Sequence, residues 1–108
     1  MQDRSSAGFV KAAATVTETG TTLARSFENV NDQTATIEVT HTNGTGIYAV
    51  DFNFKVDDRY VVITPRNNSN AAVYCIADFS ISDQTVTVNT YDVVGGALTD
   101  NEFDILVF

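Results

Sequence analysis

The chain has little of what most familiar chemistries need. It carries one cysteine, one histidine, one proline and six Lys or Arg residues against fourteen Asp or Glu, in 108 residues. A single Cys75 excludes an intrachain disulfide framework and any cysteine-rich zinc site. The net charge of −8 argues against nucleic acid as a partner, because phosphate contacts need clustered Lys and Arg. No apolar run approaches the roughly 20 residues of a membrane-spanning helix. The opening Met1-Gln2-Asp3-Arg4-Ser5 lacks the apolar centre of a signal peptide. These absences point to a soluble, acidic protein without a membrane partner. At this length a single domain is expected, over residues 9–108, behind a polar arm of residues 1–8.

Leu, Lys and Glu, the usual helix fillers, are also scarce, whereas Val and Thr are abundant beside seven Phe and four Tyr. Apolar residues alternate with polar ones in several places. Ala35, Ile37 and Val39 do so, as do Tyr48, Val50, Phe52 and Phe54, then Val86 and Val88, then Phe103, Ile105 and Val107. Period two is the signature of a strand with one buried face, and no window shows a 3.6-residue apolar stripe. The expected fold is therefore all-β: an antiparallel β-sandwich or jelly-roll-like barrel of about eight short strands.

Turn residues set the expected boundaries. Strands are expected at about 9–17, 22–30, 34–41, 47–54, 60–65, 71–77, 84–91 and 102–108. Asn43-Gly44 between alternating runs is the strongest hairpin signal, so the third and fourth strands should pair antiparallel. Pro65 should end its strand, and Arg66, Asn67, Asn68, Ser69 and Asn70 form the most polar loop. Ile105, Leu106, Val107 and Phe108 are apolar on both faces. That strand is either central in a covered sheet or pressed against another subunit.

The search for chemistry finds no catalytic set, cofactor site or metal site. His41 ends a strand without a nucleophile elbow nearby in sequence, which fits an exposed or edge histidine. Cys75 lies in an apolar strand without cationic neighbours, as a buried small hydrophobe would. Asp100, Glu102 and Asp104 are spaced two apart and would share one strand face, but no calcium-loop pattern accompanies them. Tyr60, Tyr74 and Tyr91 could form a sugar-stacking platform, although strand packing accounts for them more simply. Neither Asn43-Gly44-Thr45 nor Asn67-Asn68-Ser69 needs to be more than turn composition, and Gly95-Gly96 lacks the rest of a phosphate loop. An enzyme is not expected.

Three runs nevertheless have a recognisable look. Gly44-Thr45-Gly46-Ile47-Tyr48-Ala49-Val50-Asp51-Phe52 is followed by Arg59-Tyr60-Val61-Val62 and closed by Phe103-Asp104-Ile105-Leu106-Val107-Phe108. Together they resemble a β-module of tailed-bacteriophage virion proteins, found at tail-fibre tips and in small capsid-associated proteins. Lys11 to Ala14 and Arg25 to Val30 resemble that module's first strands, so the likeness spans roughly residues 10–108. It implies a β-sandwich or jelly-roll fold, assembly as a homotrimer and a place on the virion.

Because no shaft accompanies the domain, the expectation favours a capsid decoration (cement) protein on the outer capsid surface, with the major capsid protein as partner. Ile105 to Phe108 would then supply a subunit interface. The alternative is a fibre-tip or lectin-like domain that binds a carbohydrate receptor through Arg66 to Asn70 and the loop Val93 to Thr99.

Overall fold

The computed structural model describes residues 10–20, 23–28, 37–42, 44–66 and 75–108. Eight strands form: β1 (Ala12–Val16), β2 (Leu23–Glu28), β3 (Glu38–His41), β4 (Ile47–Asp51), β5 (Val61–Pro65), β6 (Cys75–Ser82), β7 (Thr85–Asp92) and β8 (Phe103–Val107). They make two four-stranded sheets, ordered β2-β1-β8-β5 and β3-β4-β7-β6. Every pairing in both ladders is antiparallel. The fold is the all-β sandwich that the alternation implies, with no helix among the described residues.

Period-two sequence becomes period-two burial. In β8, Phe103, Ile105 and Val107 are buried while Asp104 and Leu106 are only partly covered. In β7, Val86, Val88 and Thr90 point inward between half-buried Thr85, Thr87 and Asn89. Tyr48 and Val50 of β4, Ala12, Ala14 and Val16 of β1, and Phe52 complete the core between the sheets. Each fully buried Val, Ile or Phe stabilises the fold by about 1.5–3 kcal/mol relative to exposure, so this interdigitated layer is the dominant favourable contribution.

Both apolar faces of the last strand are explained by its position. β8 is central, hydrogen-bonded to β1 and β5, and Ile105 and Val107 are 0% exposed within the chain's own core. Of the four residues expected at a subunit interface, only Leu106 and Phe108 remain partly accessible. Pro65 closes β5 opposite Phe103, and β5 is an edge strand, where a missing N–H costs no ladder bond.

One boundary differs from the sequence expectation. The sixth strand extends to Ser82 instead of ending near 77, and from Cys75 onward it pairs with β7 over eight residue pairs. The reason is a two-residue turn at Asp83-Gln84, where Asp83 adopts φ +55°. Asp tolerates the left-handed region because its short side chain bonds locally, so the hairpin turns without a glycine. Residues 1–9 and 67–74 lie outside the described residues. The expected arm of residues 1–8 and the positions Asn67, Asn68, Ser69 and Asn70 fall there.

The register places the connections at two ends of a body 43 × 23 × 23 Å across. The β1–β2 turn, the β3–β4 turn, the β7–β8 loop and Arg66 gather at one end. Lys11 and Phe108 lie at the other, where Lys11 N–H donates to Val107 O (2.7 Å) and Phe108 N–H to Tyr60 O (2.9 Å).

Candidate functional site

The densest polar cluster sits at the loop end, where β3 and β4 meet the β7–β8 loop. It is built on a turn. Gly44 and Gly46 both have positive φ (87° and 67°), which lets the chain between His41 and Ile47 fold back and aim two amides at one point. Asp100 occupies that point: Gly44 N–H donates to Oδ2 (2.7 Å) and Gly46 N–H to Oδ1 (2.7 Å).

His41 completes the cluster. Its side chain is 0% exposed, and Nε2 lies 3.2 Å from Asp100 Oδ2. Nδ1 lies 2.7 Å from the Ile47 carbonyl, which can only accept a hydrogen bond. Both ring nitrogens therefore face oxygen atoms. The ring is stacked on Tyr48 with centroids 4.0 Å apart and planes 7° apart. On its other side Gly20 (φ +69°) leaves no room for a side chain, since a Cβ there would collide with the imidazole.

Tyr48 extends the network to a third loop. Its hydroxyl donates to Glu18 O (2.7 Å) and accepts from Asn101 N–H (3.1 Å). Burial pushes its phenol far above the usual range, reinforced by the carboxylates of Asp100 and Glu18 and by Cys75, and opposed by the Asn101 amide. Thr90 fastens the far side of the β7–β8 loop: its hydroxyl donates to Thr99 O, and its N–H to Gly46 O (2.8 Å). In this way Asp100, His41, Tyr48 and Thr90 tie the β1–β2 turn, the β3–β4 turn and the β7–β8 loop into one block.

The electrostatics follow from the geometry. Burial raises the Asp100 carboxyl, but the amides of Gly44 and Gly46 and the neighbouring His41 ring outweigh it and hold the group below the usual carboxylate range. A carboxyl lower in the folded state contributes stability above its unfolded pKa, near 3.8, and loses it as pH falls through the depressed folded value. The acid limb of the stability curve below about pH 4 should therefore flatten in Asp100→Asn and stay steep in Asp78→Asn. Chemical denaturation at a series of acid pH values checks this; equal limbs in both variants would contradict it.

The turn itself makes a second expectation. A Cβ on Gly46 would lie 2.7 Å from Thr99 N and 2.9 Å from Thr90 O, whereas nothing lies within 4 Å of one on Gly44. Gly44→Ala should cost only the left-handed backbone penalty, about 1–2 kcal/mol. Gly46→Ala should cost at least about 1 kcal/mol more, because backbone must move aside. Urea unfolding of the two variants measures the gap.

Several residues singled out in the sequence are placed differently from expectation. His41 is on an edge strand, yet its ring is enclosed. The acidic row is divided: Asp100 turns inward, while Glu102 and Asp104 flank Arg66 at 3.3 and 3.5 Å. Thr15 Oγ1 also donates to Asp104 Oδ1 (2.6 Å). Among the described residues no group of three or more His, Cys, Asp or Glu side chains is arranged to hold a metal ion. Tyr60 and Tyr91 lie at opposite ends of the body and share no platform, and Tyr74 lies outside the described residues. Cys75 is buried as anticipated, and burial raises its thiol, helped by Asp92 and Glu18. Compared with known proteins, the chain matches no family description, no curated protein and no solved structure.

Proposed function

We propose that the protein is a non-enzymatic structural component of a tailed-phage virion, a capsid decoration (cement) protein. In this reading it sits on the outer capsid surface, contacts the major capsid protein and assembles with copies of itself as a homotrimer. The observation that carries the reading is the use of the chain's most chemically capable side chains. His41, Asp100, Tyr48 and Thr90 each direct their polar atoms at backbone or at one another, which makes a braced end, not a reactive centre. A clamp needs such rigidity, because a loop already ordered loses less entropy on docking.

The resemblance gains physical sense from the same geometry. Its first run spans the braced turn (Gly44, Gly46) and the core of β4 (Tyr48, Val50), and its last run is the core of β8 (Phe103, Ile105, Val107), while the middle run Arg59 to Val62 leads into edge strand β5 with Tyr60 and Val62 exposed. Quantitative mass spectrometry of purified particles tests the proposal. A copy number in step with the major capsid protein is expected, and particles lacking the protein should rupture at lower temperature. A copy number in step with the tail fibres would overturn the capsid assignment.

A second reading, receptor binding at a fibre tip, is favoured by one observation. The loop Val93 to Thr99 and Arg66 share an end of the body, opposite Lys11 and Phe108. Carbohydrate would then be held by those loops. A broad glycan array without hits would count against it.

A further inference from the structure

Two surface features of the chain have matching shape and charge. The first is a finger. Between β7 and β8 the loop is fixed by its own backbone: Asp92 N–H donates to Ala97 O (2.8 Å), Gly96 N–H to Asp92 O (2.7 Å), and Val94 N–H to Asp92 Oδ1 (2.8 Å). This turn, with Gly96 at φ +73°, holds Val93, Val94 and Leu98 outward, 54%, 85% and 41% exposed. Ile47, Tyr60, Val62, Ile76 and Phe79 are also exposed, but Val93, Val94 and Leu98 stand together within six residues on one hydrogen-bonded turn, and grouped exposed apolar side chains mark interaction surfaces.

The second feature is a socket. The outward face of the β2-β1-β8-β5 sheet carries a groove of about 430 Å³, lined by Ala13, Thr15, Thr64, Arg66, Asp104 and Leu106. Cross-strand register explains its shape, since small Ala13 and Thr15 stand beside Leu106 and Asp104. A volume of this order lies in the range that encloses small ligands, and it is ample for two valine side chains. The outward face of the other sheet mixes apolar and polar residues, with Ile47 and Ile76 beside Thr40, Asp78, Ser80 and Asn89.

Charge selects the occupant. Copies that each carry −8 repel one another unless they meet where excess negative charge is absent. Residues Val93 to Leu98 contain no charged side chain. In the socket, Arg66 is set against Asp104 and Glu102, which leaves only about one net negative charge. A neutral apolar finger entering a nearly neutral groove is the contact that this acidic chain can make with itself. The orientation is head to tail, because finger and socket are different surfaces; such contacts close into rings when the rotation permits.

We infer that the Val93–Leu98 finger of one copy seats in the sheet groove of the next, forming the interface of the homotrimer. The inference rests on the self-assembly in the proposed function and names the surfaces that perform it. It is tested with the purified full chain by light scattering, using Val94→Asp in the finger and Thr64→Trp in the groove. Both positions are exposed, so circular dichroism should show an unchanged fold. The wild type should have the mass of a trimer, and each variant alone should have the mass of a monomer. Mixing the two should yield a one-to-one dimer, because one intact finger then meets one intact groove.

The outcomes separate. A wild-type monomer overturns self-assembly together with the interface. A trimer that survives both substitutions overturns the interface and leaves self-assembly standing. Variants that remain monomeric when mixed overturn the head-to-tail geometry.

Discussion

Asp100→Ala is expected to lower the unfolding free energy by about 2–4 kcal/mol, the cost of removing a shared acceptor from a part-buried cluster. The side chain of Asp100 is 14% exposed and that of His41 is 0% exposed, so little water is at hand to replace the lost carboxylate. Two backbone donors lose their acceptor together, the exposed Gly44 N–H and the buried Gly46 N–H, and the enclosed His41 ring loses the carboxylate beside it. Each buried unsatisfied donor carries a desolvation penalty of about 1–3 kcal/mol. Asp100→Asn should cost less, since its amide oxygen still accepts from one glycine. The double variant His41→Phe with Asp100→Asn should recover part of the loss, because the enclosed ring then carries no nitrogen that needs a polar neighbour. Urea denaturation followed by fluorescence or circular dichroism gives these values. A loss below about 1 kcal/mol for Asp100→Ala would mean that water enters the site and that the cluster is not a brace.

Tyr48→Ala should be more damaging still, at about 3–5 kcal/mol, through a different cause. Tyr48 is fully buried in the core, stacked on His41 and edge-on to Phe103 at 5.1 Å. Truncation opens a cavity between the sheets and leaves the Asn101 amide and Glu18 carbonyl without their shared hydroxyl. Tyr48→Phe separates these contributions. It keeps the packing and removes only the hydroxyl, for a loss of about 1–3 kcal/mol. Amide hydrogen exchange would localise the effect, with faster exchange at Asn101 expected while Val86 and Val88 of β7 stay protected. Equal losses in the two variants would place the whole contribution in the hydroxyl and contradict the packing account.

The two-sheet architecture was legible because alternation is a local signal: Tyr48, Val50 and Phe52, or Phe103, Ile105 and Val107, must share a face whatever else the chain does. The Asn43-Gly44 hairpin was legible for the same reason, as its turn chemistry lies between the strands that it joins. The β6–β7 hairpin was not, because Asp83 takes a conformation more often marked by glycine, and the polar run before it resembled a connection. The site was invisible for a longer-range reason. His41 and Asp100 are 59 positions apart in the chain, and no spacing rule connects a strand end to a loop at the opposite side of the sequence. The one available clue was compositional: a lone histidine beside a turn with two glycines, in a chain with spare carboxylates. It indicates that a carboxylate could arrive, but not which of fourteen.

The pairing of β1 with β8 also governs the order in which the molecule can be made. Thr15 and Asp104, joined by a hydrogen bond, are separated by 89 positions, and β8 is the strand that unites β1 with β5. The β6–β7 hairpin, closed by two residues, can form within microseconds of its appearance. The other sheet waits for β8, because until it arrives β1 and β5 have no common neighbour. Such a non-local topology folds on the millisecond-to-second scale, and its rate is limited by end-to-end closure. During synthesis, Ala12, Ala14 and Val16 therefore remain uncovered on an incomplete sheet until β8 has emerged. Loss of the Phe103–Val107 strand should abolish folding of this sheet as a whole, not merely fray one edge.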